Sequence, residues 1–153
     1  KFPLLSAYSP PNLVLPPPHN PNPQALHYYS IMKDLISSSP CGNVVVVGLG
    51  SQPLAYVVST STLLTLPPAT APITAVACTA DKVAVVSGKV VSAYDIDIKG
   101  KECALSRTWE VPKKASSLVF VPETEGTPGA LAVGDKAGDV TSYELGGAVG
   151  DKV

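Results

Sequence analysis

Three short hairpins that end alike constrain this chain more than any other feature of its sequence. Apolar runs of about five to eight residues, punctuated by Gly, Pro, Ser and Asp, close on Tyr56-Val57, Tyr94-Asp95 and Tyr143-Glu144. Runs of that length are strands rather than helices, and no apolar repeat of helical period follows Ser39. Placed in register, residues 83–95 lie over residues 131–144. Each begins with a nearly continuous Val/Ala/Leu run, passes through a Gly-containing turn and ends on a tyrosine followed by an acid. A strand that is apolar throughout, instead of alternating, is one whose two faces are both covered.

The closing tyrosines are 38 and 49 residues apart, which brackets the ~40–45 residues of a four-stranded propeller blade. The expected fold is therefore all-β, a WD-type β-propeller fragment of about three incomplete blades. The first blade, with strands at 43–48, 54–59 and 62–66, has no clear first strand. The second, with strands at 73–78, 83–86, 90–96 and 104–111, is complete. The third, with strands at 116–121, 130–133 and 139–145, lacks its outermost strand. Residues 25–35 fit a short helix or the outset of a strand. A blade cannot bury its own faces, so the arc is expected to need neighbours. Because it starts at Lys1 and stops in mid-pattern, we expect a piece of a longer chain.

Before this domain, at 25–153, lies a leader at 1–24 with Pro3, Pro10, Pro11, Pro16, Pro17, Pro18, Pro21 and Pro23. Proline fixes φ and removes an amide donor, so neither a helix nor an inner strand forms there. A largely disordered leader is expected. Gly134 and Gly138 are expected to supply positive φ in the tight connection between the last two strands. Asp135 and Asp139 would bond its amides.

The overall balance of charge gives little direction. Eleven Lys and Arg face twelve Asp and Glu, for a net charge of -1, so no strong field points to nucleic acid. Cys41, Cys78 and Cys103 form no Cys-x-x-Cys pair, and His19 and His27 stand at no ligand spacing from them. Three core or half-buried thiols in a reducing compartment are the expectation. The chain carries no charge between Asp34 and Asp81, but Gly48, Gly50, Pro53 and the run Ser59-Thr60-Ser61-Thr62 break what would be a membrane span. No signal peptide or membrane association is expected.

Catalytic signatures are missing as well. Gly48-Leu49-Gly50 follows a strand, yet Pro53 stands where a dinucleotide site needs its third glycine, and a strand follows where a helix is required. There is no phosphate loop, nucleophile elbow or zinc-protease motif. Asp95 and Asp97 share a strand face, which suits a solvated strand end. No enzyme, cofactor or metal is expected.

One stretch is more specific. Gly134-Asp-Lys-Ala-Gly-Asp-Val-Thr-Ser-Tyr143 resembles the Ala-Asp-Lys-x-Gly-Asp-Val-Tyr-Ser segment of the WD-repeat, non-catalytic subunit of the eukaryotic tRNA (guanine-7)-methyltransferase. The basic pair Lys113-Lys114 and the strand after it match that family's order. So does the passage from Met32-Lys33 into the first apolar strand, and the resemblance spans about residues 29–145. Gly134 replaces the family's Ala and Thr141 its Tyr, and the later Gly-His and Asp-Arg-Asp-Glu stretches do not occur.

The resemblance implies a nuclear scaffold subunit that forms a heterodimer with a catalytic methyltransferase subunit. That partner would bind S-adenosylmethionine and methylate tRNA, while this chain would supply no catalytic group or cofactor. Lys136 would meet the partner at the blade edge, and Lys113 and Lys114 could touch tRNA phosphate as point charges. Two alternatives stand beside it. One is a WD-repeat interaction scaffold unrelated to tRNA. The other is a propeller-based enzyme or a membrane or wall protein.

Overall fold

A computed structural model describes residues 35–146. The leader at 1–24, residues 25–34 and residues 147–153 lie outside the described residues, and so do His19 and His27. The first sheet holds β1 (Ile36–Ser38), β2 (Val44–Leu49), β3 (Gln52–Val57) and β4 (Thr62–Thr65). The second holds β5 (Ile73–Cys78), β6 (Lys82–Ser87), β7 (Val90–Asp97) and β8 (Glu102–Glu110). The third holds β9 (Ala115–Val121), β10 (Ala130–Asp135) and β11 (Val140–Glu144). Within each sheet the strands pair antiparallel and in chain order. These are three blades of a WD-like β-propeller arc, all β among the described residues, and the uncharged stretch that resembled a membrane span is β2, β3 and β4.

The blades stack face to face, and the middle one shows why β6 reads as continuous valine and alanine. Val83 and Val85 enter a core shared with Val44, Val46, Ala55 and Leu64 of the first blade. Ala84 and Val86, on the reverse face, enter a core shared with Leu131, Val133 and Tyr143 of the third. The contacts between blades also include a repeated backbone bond. The amide of Ile73, at the start of β5, donates to the carbonyl of Gly50 at 2.7 Å, and the amide of Ala115, at the start of β9, donates to that of Gly88 at 3.3 Å. Each β2–β3 or β6–β7 turn thus receives the first strand of the next blade.

The first blade departs from expectation, since it does have an inner strand. Two of the three residues of β1 are serine, so no apolar pattern announces it. Pairing with β2 defines it, through Ile36↔Val47, Ser37↔Val46 and Ser38↔Val45. The Ser39 hydroxyl then accepts the Val44 amide at 3.0 Å and closes the turn. Pro53 is not in the turn before β3 but within the strand, opposite Gly48 and fully buried. Its carbonyl accepts the Leu66 amide. The third blade has three strands among the described residues, as its sequence predicts.

All three cysteines are free thiols, but they do not share one environment. Cys78 is buried between the first two blades, where its thiol donates to the carbonyls of Val44 at 3.5 Å and Ser37 at 3.6 Å. Burial pushes its pKa up, as it does for half-buried Cys103. Cys41 contradicts the expectation of core or half-buried thiols. It sits exposed on the β1–β2 turn, because that turn folds back over Ser39 and leaves position 41 at its tip. The Ser39 hydroxyl, followed by the backbone at Asn43, lowers its pKa.

Thiolate fraction and access together set alkylation rates. Iodoacetamide should therefore label Cys41 first, Cys103 more slowly and Cys78 only on unfolding, as peptide mapping after timed quenches would reveal. Core and bare faces should also separate in urea melts. Leu131→Ala, at a fully buried position, should cost about 2–5 kcal/mol, whereas Val140→Ala, at a position 73% exposed, should stay within about 0.5 kcal/mol of the parent.

Candidate functional site

The segment that carries the family resemblance folds into the β10–β11 connection, a four-residue turn tied down by the carboxylate of Asp135, whereas that of Asp139, expected to bond amides too, meets Lys113 instead. Asp135 Oδ1 accepts the amides of Ala137 at 2.7 Å and Asp139 at 3.1 Å. The backbone adds Asp135 N to Asp139 O at 3.0 Å and Gly138 N to Asp135 O at 3.2 Å. Gly138 has φ of +94°, which a side chain would strain. Gly134 differs from what its sequence suggests. It lies inside β10 and its φ is not positive, because the strand runs on to Asp135. An added Cβ there would meet the hydroxyl of Ser117 on β9, the free end of a side chain that can turn away. The β9–β10 register shifts at this point, between Gly134 and Asp135.

The three lysines singled out in the sequence part company. Lys113 Nζ lies 2.7 Å from Asp139 Oδ2 and 3.8 Å from Asp135 Oδ2, and so braces the segment before β9 against the turn. Asp139, and after it Asp135, raises the Lys113 pKa. Its charge is engaged within the blade. Lys136 stands exposed at the tip of the turn and forms no ion pair among the described residues. Lys114 is also exposed and unpaired there. The structure thus gathers Lys113, Asp135 and Asp139 into one cluster and leaves Lys136 and Lys114 as outward charges.

Asp95 and Asp97 are likewise occupied. Asp95 accepts from Lys82 Nζ at 2.7 Å, which lowers its pKa. Asp97 Oδ1 receives the amides of Lys99 at 3.0 Å and Gly100 at 2.9 Å in the β7–β8 turn.

A second concave feature was not visible in the sequence. A groove of about 800 Å³ opens where the β1–β2, β5–β6 and β9–β10 connections converge, with Ser39, Cys78, Asp81, Phe120, Glu123 and Leu145 among its walls. Those residues are far apart in the chain and share no motif. The groove lies by the Ala130 end of β10, whereas Lys136 lies beyond its Asp135 end.

Among solved structures, the chain is similar to the computationally designed Ika4 protein, with a TM-score of 0.54 and 20% identity over 68% of this chain and 61% of that one. It is also similar to the WD-repeat protein Sqt1 of Saccharomyces cerevisiae, with a TM-score of 0.54 and 16% identity over 71% of this chain and 30% of that one. The chain therefore spans less than two thirds of either protein. At these identities the likeness is one of fold. No protein-family profile matches the chain, and no curated protein does.

The turn's dependence on Asp135 can be measured directly. Asp135→Ala removes the acceptor of two amides, and at about 0.5–1.5 kcal/mol per bond it should destabilise the chain by about 1–3 kcal/mol. Asp135→Asn keeps the acceptor oxygen and should recover most of that loss in the same denaturant titration. Equal losses would place the effect in charge rather than in the turn bonds.

Proposed function

We infer that this chain is a non-catalytic scaffold whose role is to bind and stabilise the catalytic subunit of a tRNA (guanine-7)-methyltransferase. The observation that carries the reading is the turn at 134–143, in which the residues that resemble the methyltransferase scaffold family form a preorganised tip. Asp135 and Gly138 fix the backbone, Lys113 pairs with Asp139 and lies near Asp135, and Lys136 is left exposed with no ion pair among the described residues. A rigid hairpin needs no further backbone ordering when its lysine meets an acidic patch, so only the side chain's rotamers are lost. The WD-like propeller fold supports a scaffold, since stacked blades present many turns on a rigid frame.

In this reading the chemistry belongs to the partner. The catalytic subunit would bind S-adenosylmethionine and the guanine to be methylated. This chain would order that subunit, and the complex would work in the nucleus. Lys114, exposed beside the start of β9, would be free to meet tRNA phosphate. Lys113 is committed to Asp139 and contributes to the shape of the site instead.

Co-expression of the protein with the catalytic subunit tests this directly. The two should co-purify, and tRNA methylation should rise above that of the catalytic subunit by itself. Lys136→Glu should weaken the complex by up to about fivefold, as suits a rim charge pair of about 0.2–1 kcal/mol, without moving the melting temperature. Failure both to co-purify and to stimulate methylation would replace this reading with an interaction scaffold unrelated to tRNA.

A further inference from the structure

The groove of about 800 Å³ beside Phe120 takes no part in the scaffold reading. Antiparallel pairing in chain order puts the connections that form it at one end of the blades and the β10–β11 turn with Lys136 at the other. Its walls come from successive blades that already stack on each other, so no further blade is needed to shape it. Leu118, Phe120 and Leu145 give it an apolar wall, each half-buried against the core between the second and third blades. Carboxylates flank that wall on two sides. Asp81 is exposed in the β5–β6 turn and Glu123 in the β9–β10 connection, and both line the groove. Neither forms an ion pair among the described residues. The only cation among the described residues of the wall is Lys82, and its Nζ lies 2.7 Å from Asp95 Oδ1. Lys99 and Lys101 belong to the β7–β8 turn, outside the wall.

The groove also meets bare backbone. Leu118, Val119, Phe120 and Val121 are consecutive, and all four line it. Side chains of a strand alternate between its two faces, so an unbroken run in a wall means that β9 turns its edge to the groove. That edge has no partner strand among the described residues, because β9 ends its sheet in the order β11-β10-β9. An open edge offers a row of amides and carbonyls to an extended segment, and the surroundings decide which side chains that segment carries.

We propose that this groove binds an extended segment of a partner protein in which basic and apolar residues interleave, added as a strand along the edge of β9. Each observation selects one property of the occupant. The free backbone edge selects an extended peptide over a compact ligand. Leu118, Phe120 and Leu145 select apolar side chains, and Asp81 and Glu123 select Lys or Arg beside them. The proposal does not rest on the scaffold reading, and neither Lys136 nor the methyltransferase partner enters its test.

The probe is a fluorescein-labelled peptide, Gly-Leu-Lys-Lys-Phe-Lys-Leu-Gly, titrated with the full chain and followed by anisotropy. It should bind saturably, and its counterpart with Glu for each Lys should bind about tenfold or more weakly. Glu123→Lys and Asp81→Lys, one on each side of the groove, should each weaken the basic peptide about three- to tenfold, since each removes an attraction and adds a repulsion. Both positions are exposed, so circular dichroism should show the fold unchanged. Were one variant to unfold, the other carries the comparison. The Glu123→Lys chain should also gain affinity for the Glu peptide, which loss of structure would not produce. Strand addition has a further signature, because only alternate amides of a strand face a pairing edge. N-methylation of every second residue should therefore abolish binding in one phase of the alternation and spare it in the other. Absence of saturable binding, equal affinity for the Lys and Glu peptides, or indifference to both substitutions would overturn the proposal. So would equal effects of the two methylation patterns, or displacement of the peptide by an equal concentration of spermine, which would give the groove to a small cation.

Discussion

The face-to-face contact between blades is the interaction on which everything else in this chain depends. A β-strand alternates its side chains, so an all-apolar strand such as β6 has two faces to bury and no means within its own sheet to bury either. Val83 and Val85 are covered only because the first blade stands on one side, and Ala84 and Val86 only because the third stands on the other. The Ala-Tyr and Ser-Tyr steps of the third strands make that contact directional. The large side chain of each step turns back and the small one forward, so a reversed blade would set tyrosine against tyrosine. Directional stacking is what turns a set of hairpins into an arc.

Much of this was legible in the sequence because it is written in a short period. Apolar runs bounded by Gly, Pro and Asp marked ten of the described strands to within one or two residues, and the aligned tyrosines marked their order. What escaped was held by pairing instead of by pattern. Ile36-Ser37-Ser38 has no apolar signature and is a strand because β2 offers it an edge. Gly134 looked like a turn glycine, yet it is a strand residue of β10 that lies against Ser117 of the neighbouring strand. Cys41 looked like its two fellow thiols until the fold of the turn placed it outside. The groove beside Phe120 and Cys78 belongs to this class too, since its walls meet only when three blades are stacked.

The candidate site was partly legible for a different reason. Asp and Gly at fixed offsets in a hairpin carry a local mechanism, and Asp135 and Gly138 perform it as expected. Charge pairing across the chain carries no such signature. From the sequence, Lys113 and Lys136 are similar basic residues near the same segment. In the fold, Lys113 lies 2.7 Å from Asp139 while Lys136 has no ion pair among the described residues. That difference arises because the link into β9 passes beside the β10–β11 turn, a relation of blade geometry and not of sequence spacing.

Stacking and recognition therefore rest on different parts of each blade. The faces are nearly free of charge and repeat from blade to blade, so they suit contact with another blade. The β10–β11 turn brings Asp135, Lys136 and Asp139 beside Lys113 of the link into β9, and the two-residue β2–β3 and β6–β7 turns at Gly50 and Gly88 gather no such cluster. A turn is also where substitution disturbs packing least, because its side chains leave the sheet. A change of charge at Lys136 can thus alter a partner's affinity while the cores around Tyr94 and Tyr143 stay as they are. A change at Val83 or Ala84 can alter how blades meet while the tip keeps its shape. Such separation lets one arc of stacked sheets carry a specific contact without compromising the contacts that hold it together.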